Sequence, residues 1–141
     1  NSRPAVLAHN LETVRSLTEK VRDSRAGYDQ SLDVLRYLKQ NCPDGYTKSS
    51  LMLGVGESRT ETLQAMKDLR NVGVDFLTIG QYLQPSKKHL KVEKFVPPEE
   101  FDELALHGDK MGFEYVASGP LVRSSYKAAE FYIERKIRSN V

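Results

Sequence analysis

One cysteine, Cys42, is all that this chain contains. A disulfide framework, a thiolate zinc site and a self-contained thiolate-held cluster each need several thiols, so one chain alone builds none of them. Cys42 lies in Asn41-Cys42-Pro43-Asp44-Gly45, which reads as a loop, and it is expected to be a bystander. Nor is there an apolar run of 18 residues, so no segment reads as a membrane-spanning helix. Charge of one sign is lacking too. With 21 Lys+Arg against 19 Asp+Glu, a net charge of +2 points to neither nucleic acid nor a membrane surface. The three histidines, His9, His89 and His107, do not fall at metal-ligand spacings and read as structural or surface residues. No Ser–His–Asp set or carboxylate pair can be argued from spacing. The chain opens on Asn1-Ser2-Arg3-Pro4, without Met, signal peptide or transit peptide, and reads as a start in mid-protein.

What is present is a soluble globular composition, 39% hydrophobic and 28% charged, over the length of one domain. Four short apolar runs alternate with amphipathic segments, the pattern of successive βα units. The strands are expected at residues 5–8, 51–55, 74–79 and 113–117. A helix is expected over Leu11–Val21 with Asn10 as its N-cap, and a second around Leu32, Leu35 and Leu38. Ser58 to Glu61 has capping-box spacing before a helix through Leu63, Met66, Leu69 and Val72, with Gly73 at its C-terminal cap. Pro97-Pro98 starts a helix ending near Gly112, and a last helix is expected from about Ser124 to Lys136. Crossovers of this length make a parallel sheet, whose ligands bind at the C-terminal ends of the strands. Four strands cannot close a barrel, so the chain reads as the second half of a larger one.

Four polar or Gly-rich clusters fall on that rim. Gly54-Val55-Gly56-Glu57 lets backbone approach a ligand before a helix N-terminus. It lacks the third glycine of a dinucleotide site and the Lys-Ser/Thr of a P-loop, so a plain tight turn explains it as well. Asn10 and Glu12 are explained on spacing alone by a helix start. Gln81-Tyr82-Leu83 suits an adenine or its ribose, or is only a loop pinned by an aromatic. Lys87, Lys88 and His89 read first as a solvated basic loop, ahead of a contact with an acidic carrier domain. Arg123-Ser124-Ser125-Tyr126 on its own would be a helix start.

Taken together, these segments resemble the lipoyl synthases, radical S-adenosylmethionine (SAM) enzymes. The resemblance rests on Ala8-His9-Asn10-Leu11-Glu12-Thr13, Ser49 to Glu57, Thr78 to Ser86, and Gly119-Pro120-Leu121-Val122-Arg123-Ser124-Ser125-Tyr126, in the family's order. It implies the C-terminal βα units of a partial (β/α)6 TIM-like barrel with parallel strands, over residues 1–117. Residues 118–141 would be a C-terminal extension. Asn10, Glu12, Gly54, Gly56, Glu57, Gln81, Tyr82 and Leu83 would contact SAM. Ser125, with Ser124 as runner-up, would ligate an auxiliary [4Fe–4S] cluster, and Arg123 would hold that loop or stabilise charge at the opened iron. The implied activity inserts two sulfurs at C6 and C8 of a protein-bound octanoyl-lysine, using SAM and two [4Fe–4S] clusters.

The implied partners are octanoylated lipoyl-carrier domains (2-oxoacid dehydrogenase E2 or glycine cleavage H protein), an electron donor and iron–sulfur assembly proteins. Neither nucleic acid nor membrane is implied. Location would be the mitochondrial matrix in a eukaryote and the cytoplasm otherwise. The family's cluster cysteines are absent, so the isolated chain is expected to be inactive. Two other readings stand beside this one: a nucleotide- or phosphate-binding α/β domain built on Gly54–Gly56, and a non-catalytic binding module.

Overall fold

A computed structural model describes residues 5–22 and 27–123 of the chain. Its centre is a four-stranded parallel sheet, β1 (Val6–Ala8), β2 (Tyr46–Leu53), β3 (Phe76–Gln81) and β4 (Tyr115–Ser118), in the spatial order β1-β2-β3-β4. Consecutive parallel neighbours need crossovers, and helices supply them. These are α1 (Thr18–Val21) and α2 (Tyr28–Asn41) between β1 and β2, α3 (Arg59–Asn71) before β3, and α4 (Pro98–Met111) before β4. This is the parallel α/β arrangement expected of partial TIM-like units.

Local chemistry accounts for the helix ends. The Ser58 hydroxyl accepts from Glu61 N at 3.1 Å and the Glu61 carboxylate accepts from Ser58 N at 3.0 Å, which completes the capping box of α3. Gly73, just past α3, takes φ 92°, and Gly112, just past α4, takes φ 98°. Both are left-handed positions where a side chain would be strained.

The sheet has two unlike faces. Leu51, Leu53, Leu77 and Ile79 pack with Leu35 of α2, Met66 and Leu69 of α3, and Phe101 and Leu104 of α4 to form the main core. On the other face Phe76 is buried against Val6, Tyr46 and Tyr115, and the Tyr46 and Phe76 rings lie 4.8 Å apart. Strand register puts Lys48 beside Phe76 and Ser50 beside Thr78 on that second face.

Several expected boundaries move. β2 begins at Tyr46, five residues before the expected Leu51, because its polar first half is satisfied inside the protein. Thr47 Oγ1 donates to Gly73 O at 2.8 Å, and Ser49 Oγ accepts from Leu11 N at 3.0 Å. β3 and β4 each start two residues late. The Asp75 carboxylate is used instead as a tie, accepting from Thr47 N at 3.0 Å and Lys39 Nζ at 2.9 Å.

The first expected helix is the larger correction. Glu12 has φ 76° and is bridged to Leu51, accepting from Met52 N at 2.8 Å, so a helix cannot start at Leu11. Leu11 and Val14 enter the core from extended chain, a 3-10 turn follows over Arg15–Leu17, and α1 is only four residues long. Asn10 is therefore not an N-cap. Cys42 follows α2 as expected, half-buried and free, beside the N-terminal ends of the strands. The last expected helix, Ser124 to Lys136, lies outside the described residues.

Candidate functional site

The four sequence clusters follow β1, β2, β3 and β4, so all four lie at the C-terminal ends of parallel strands. They are built differently.

Beyond β1 the pairing advances from Ala8 to Glu12 on one side but only from Lys48 to Leu51 on the other. The extra residue makes a bulge, a device that re-aims a side chain at a sheet end. A positive φ on a non-glycine residue, here Glu12, marks a position held against its local preference. Burial pushes the Glu12 carboxyl above the usual range, partly opposed by a hydrogen bond from Asn10 and by the charges of Arg22 and Lys48. Lys48 is itself buried, which pushes its ammonium pKa down, with Glu12 acting the other way. Burial and the nearby Arg22 likewise lower His9, whose Nε2 lies 3.1 Å from Ser31 Oγ. The result is a half-buried carboxyl with the Asn10 amide beside it, suited to polar ligand groups such as vicinal hydroxyls.

Beyond β2, Gly54 and Gly56 take φ 99° and 116°, conformations that need glycine. The Glu57 carboxylate turns back and accepts from Gly54 N (3.0 Å) and Val55 N (3.1 Å). The N–H groups that a phosphate would approach are thus already held by the chain's own anion. Gly54 O accepts from Glu93 N at 2.8 Å, and a side chain on Gly54 would strike Lys94 O and Gln81 Nε2. The loops after β2 and β3 interlock here.

At the end of β3, both ends of the Gln81 amide are used internally. Its Nε2 donates to Tyr82 O (2.9 Å) and Lys94 O (3.0 Å), and its Oε1 accepts from Val96 N (2.9 Å). Tyr82 is buried and donates its hydroxyl to Leu90 O at 2.7 Å. These two residues hold the long loop in shape, and Leu83 is exposed beside them.

Beyond β4, Gly119 N donates to Ile79 O at 3.0 Å, which turns the chain across the end of β3. Val122 then lies directly over Gly80. Arg123 donates to Val122 O at 3.0 Å. Ser124, Ser125 and Tyr126 lie outside the described residues.

The structure therefore gathers the motifs on one rim and joins those after β2 and β3, and those after β3 and β4, through direct contacts. Among the described residues no hydrogen bond links Glu12 to Glu57, Gln81 or Arg123, and no group of three or more His, Cys, Asp or Glu is placed to hold a metal ion. A cluster does not fit this chain's own thiol, since Cys42 lies at the far end of the strands. Lys48 escaped sequence reasoning. The alternation Tyr46, Lys48, Ser50 would have placed it on the second sheet face, had the strand been started at Tyr46. A cleft of about 300 Å³ opens beside Glu57 where α3 and α4 begin, lined also by Leu53, Val96 and Leu104 with Arg59, Lys94 and Glu100.

Comparison with known proteins gives one consistent family. The chain is 58% identical over 140 residues to "Lipoyl synthase 2, chloroplastic" of Zea mays, covering 99% of this chain and 38% of that protein. It is 60% identical over 129 residues to "Lipoyl synthase, mitochondrial" of Branchiostoma floridae, covering 92% and 34%. It is 60% identical over 134 residues to "Lipoyl synthase" of Myxococcus xanthus, covering 94% and 45%. The chain thus spans about two fifths of the length of the curated relatives it matches. No family model matches it. No helix among the described residues is long and apolar enough to cross a membrane.

Proposed function

We propose, on the premise that this chain belongs with the lipoyl synthases and corresponds to a C-terminal part of them, that it supplies four strands of the radical SAM barrel and much of its SAM-facing rim. The whole protein would insert two sulfurs at C6 and C8 of an octanoyl-lysine on a lipoyl-carrier domain, such as a 2-oxoacid dehydrogenase E2 or glycine cleavage H protein. Two [4Fe–4S] clusters and SAM, when bound in that protein, supply the hydrogen-abstracting radical and the sulfur. This chain alone has no thiolate set to hold either cluster and is proposed to be inactive by itself.

The chain's own residues bind, orient and exclude. Asn10 and Glu12 present an amide and a desolvated carboxyl to the hydroxyls or the amino-acid end of SAM. Glu57 sets the shape of the Gly54–Gly56 turn, so that bare backbone can lie against the adenosyl group. Gln81 and Tyr82 act mainly by fixing the loop that walls the rim, with Leu83 as its exposed contact. Arg123 holds the segment that carries Ser125, the proposed oxygen ligand of the auxiliary cluster, with Ser124 the alternative. Residues from 118 onward form the extension that delivers this segment to the rim. The mitochondrial matrix or, in a bacterium, the cytoplasm belongs to the same proposal, and relatives with chloroplastic names widen it.

The observation that carries this reading is Glu12, a half-buried carboxyl on a left-handed backbone at the position where the resemblance implies a SAM contact. In the full-length protein, Glu12→Gln together with Asn10→Ala should weaken SAM binding by about ten-fold or more, measured calorimetrically. Unchanged affinity would remove the assignment. The phosphate-binding alternative is disfavoured because Glu57 occupies the loop's N–H groups.

A further inference from the structure

The positive charge of this chain is not spread evenly. Residues 82–95 carry four lysines and one glutamate, leaving 17 basic and 18 acidic residues elsewhere. The loop thus carries +3 against −1 summed over the rest of the chain. Lys87, Lys88 and Lys91 are exposed and form no salt bridge with any described residue, whereas Lys94 pairs with Glu100 at 3.3 Å. Two apolar side chains flank them outward, Phe95 at 71% exposure and Leu90 at 37%.

Such a segment is commonly mobile, yet this one is tied down at both ends and in the middle. Gln81 holds Lys94 O and Val96 N, Gly54 O accepts from Glu93 N, Tyr82 holds Leu90 O, and Gln84 Nε2 donates to His89 O at 3.0 Å. Internal bonds therefore fix the backbone while the cations and the Phe95 ring face outward. Holding like charges together costs electrostatic energy, and an exposed Phe gains nothing in solvent. The neighbours of Phe95 in the chain, Lys94 and Val96, line the cleft at the start of α3 and α4, whose apolar part is Leu53, Val96 and Leu104.

We propose that the loop 84–95 is a docking surface for the acidic face of a partner protein, with Lys87, Lys88 and Lys91 steering it and Phe95 as the apolar anchor. Resting on the function proposed above, that partner is the folded carrier domain bearing the octanoyl-lysine, held at the outer side of the rim while its lysine arm reaches inward. Charge complementarity of this kind governs encounter rate and salt dependence more than the chemical step.

The test uses the full-length protein, an octanoylated acidic carrier domain and a short neutral octanoyl-lysine peptide. Lys87→Glu, Lys88→Glu and Lys91→Glu combined should weaken binding of the domain, read by fluorescence anisotropy, by about ten-fold or more at low salt. The loss should shrink as salt is raised. Turnover of the peptide should stay unchanged. Phe95→Ala should weaken domain binding without altering its salt dependence, and circular dichroism of both variants should match the parent. Unchanged domain binding in the triple variant, or equal losses for peptide and domain, would overturn the proposal. If the domain binds through these lysines but its octanoyl group is never converted, the docking surface stands and the enzymatic reading falls.

Discussion

Gly80 of β3 lies so close beneath Val122 that any Cβ at this position would overlap the Val122 carbonyl oxygen. The segment leading to Arg123 is thereby seated on the strand itself, and the Gly119 N to Ile79 O bond locks it there. Gly80→Ala should lift the segment or displace β3, at a cost of about 1–3 kcal/mol. Thermal melting of the full-length protein would report that loss. Turnover should fall further than the lowered melting point explains, because the segment proposed to lead to the cluster ligand is displaced.

Glu57 caps the two N–H groups of the turn after β2. Glu57→Ala leaves both without an acceptor and should cost about 1–3 kcal/mol. The same substitution frees these two N–H groups for an added anion. Inorganic phosphate should then raise the melting temperature of the variant but not of the parent. Phosphate protection of the parent would revive the nucleotide-binding reading.

Asp75 ties three elements by accepting from Lys39 Nζ and Thr47 N, with Arg70 4.0 Å away. Because Lys39 and Arg70 are each about a third exposed, solvent screens the pair and the full cost of a broken buried ion pair is not expected. Asp75→Ala should destabilise by about 2 kcal/mol, with the lost backbone acceptor for Thr47 contributing much of it. Urea unfolding midpoints would measure it.

Glu12 should give an inverted pH signature. Burial raises its pKa above the ordinary 4.5, against the Asn10 hydrogen bond and the charges of Arg22 and Lys48. A group whose folded pKa is raised favours folding fully below its unfolded pKa, and that contribution is lost as pH rises through the folded value. Glu12→Gln removes the titration. The variant should be the more stable of the two at neutral pH, and its advantage should vanish as pH falls below about 4.5. Stability-versus-pH curves of both proteins in the absence of SAM would check this. An advantage that grows on acidification would mean that the carboxylate is stabilised by its neighbours.

Much of this architecture was legible because its signals are local. The capping box at Ser58 and Glu61, the proline start of α4 and the glycines after α3 and α4 depend on residues a few positions apart. The start of β2 was not legible. Tyr46 to Ser50 is polar, and only partners from elsewhere, Leu11 N and Gly73 O among them, make it a buried strand. Leu11 and Val14 misled in the opposite way. Their helical spacing is real, but they are buried from extended chain because Glu12 pairs with β2. The motifs on the rim could be read, whereas the internal use of the Gln81 amide could not, since Lys94 and Val96 approach it across a long loop.

The most direct measurement is the mass of an octanoylated carrier domain after incubation with the full-length protein, SAM and a reductant without oxygen. The expected result is a product in which two hydrogens have been replaced by two sulfurs, accompanied by 5′-deoxyadenosine, and its loss when Ser125→Ala is introduced. An unchanged octanoyl mass with the cluster-loaded parent protein would contradict the assignment.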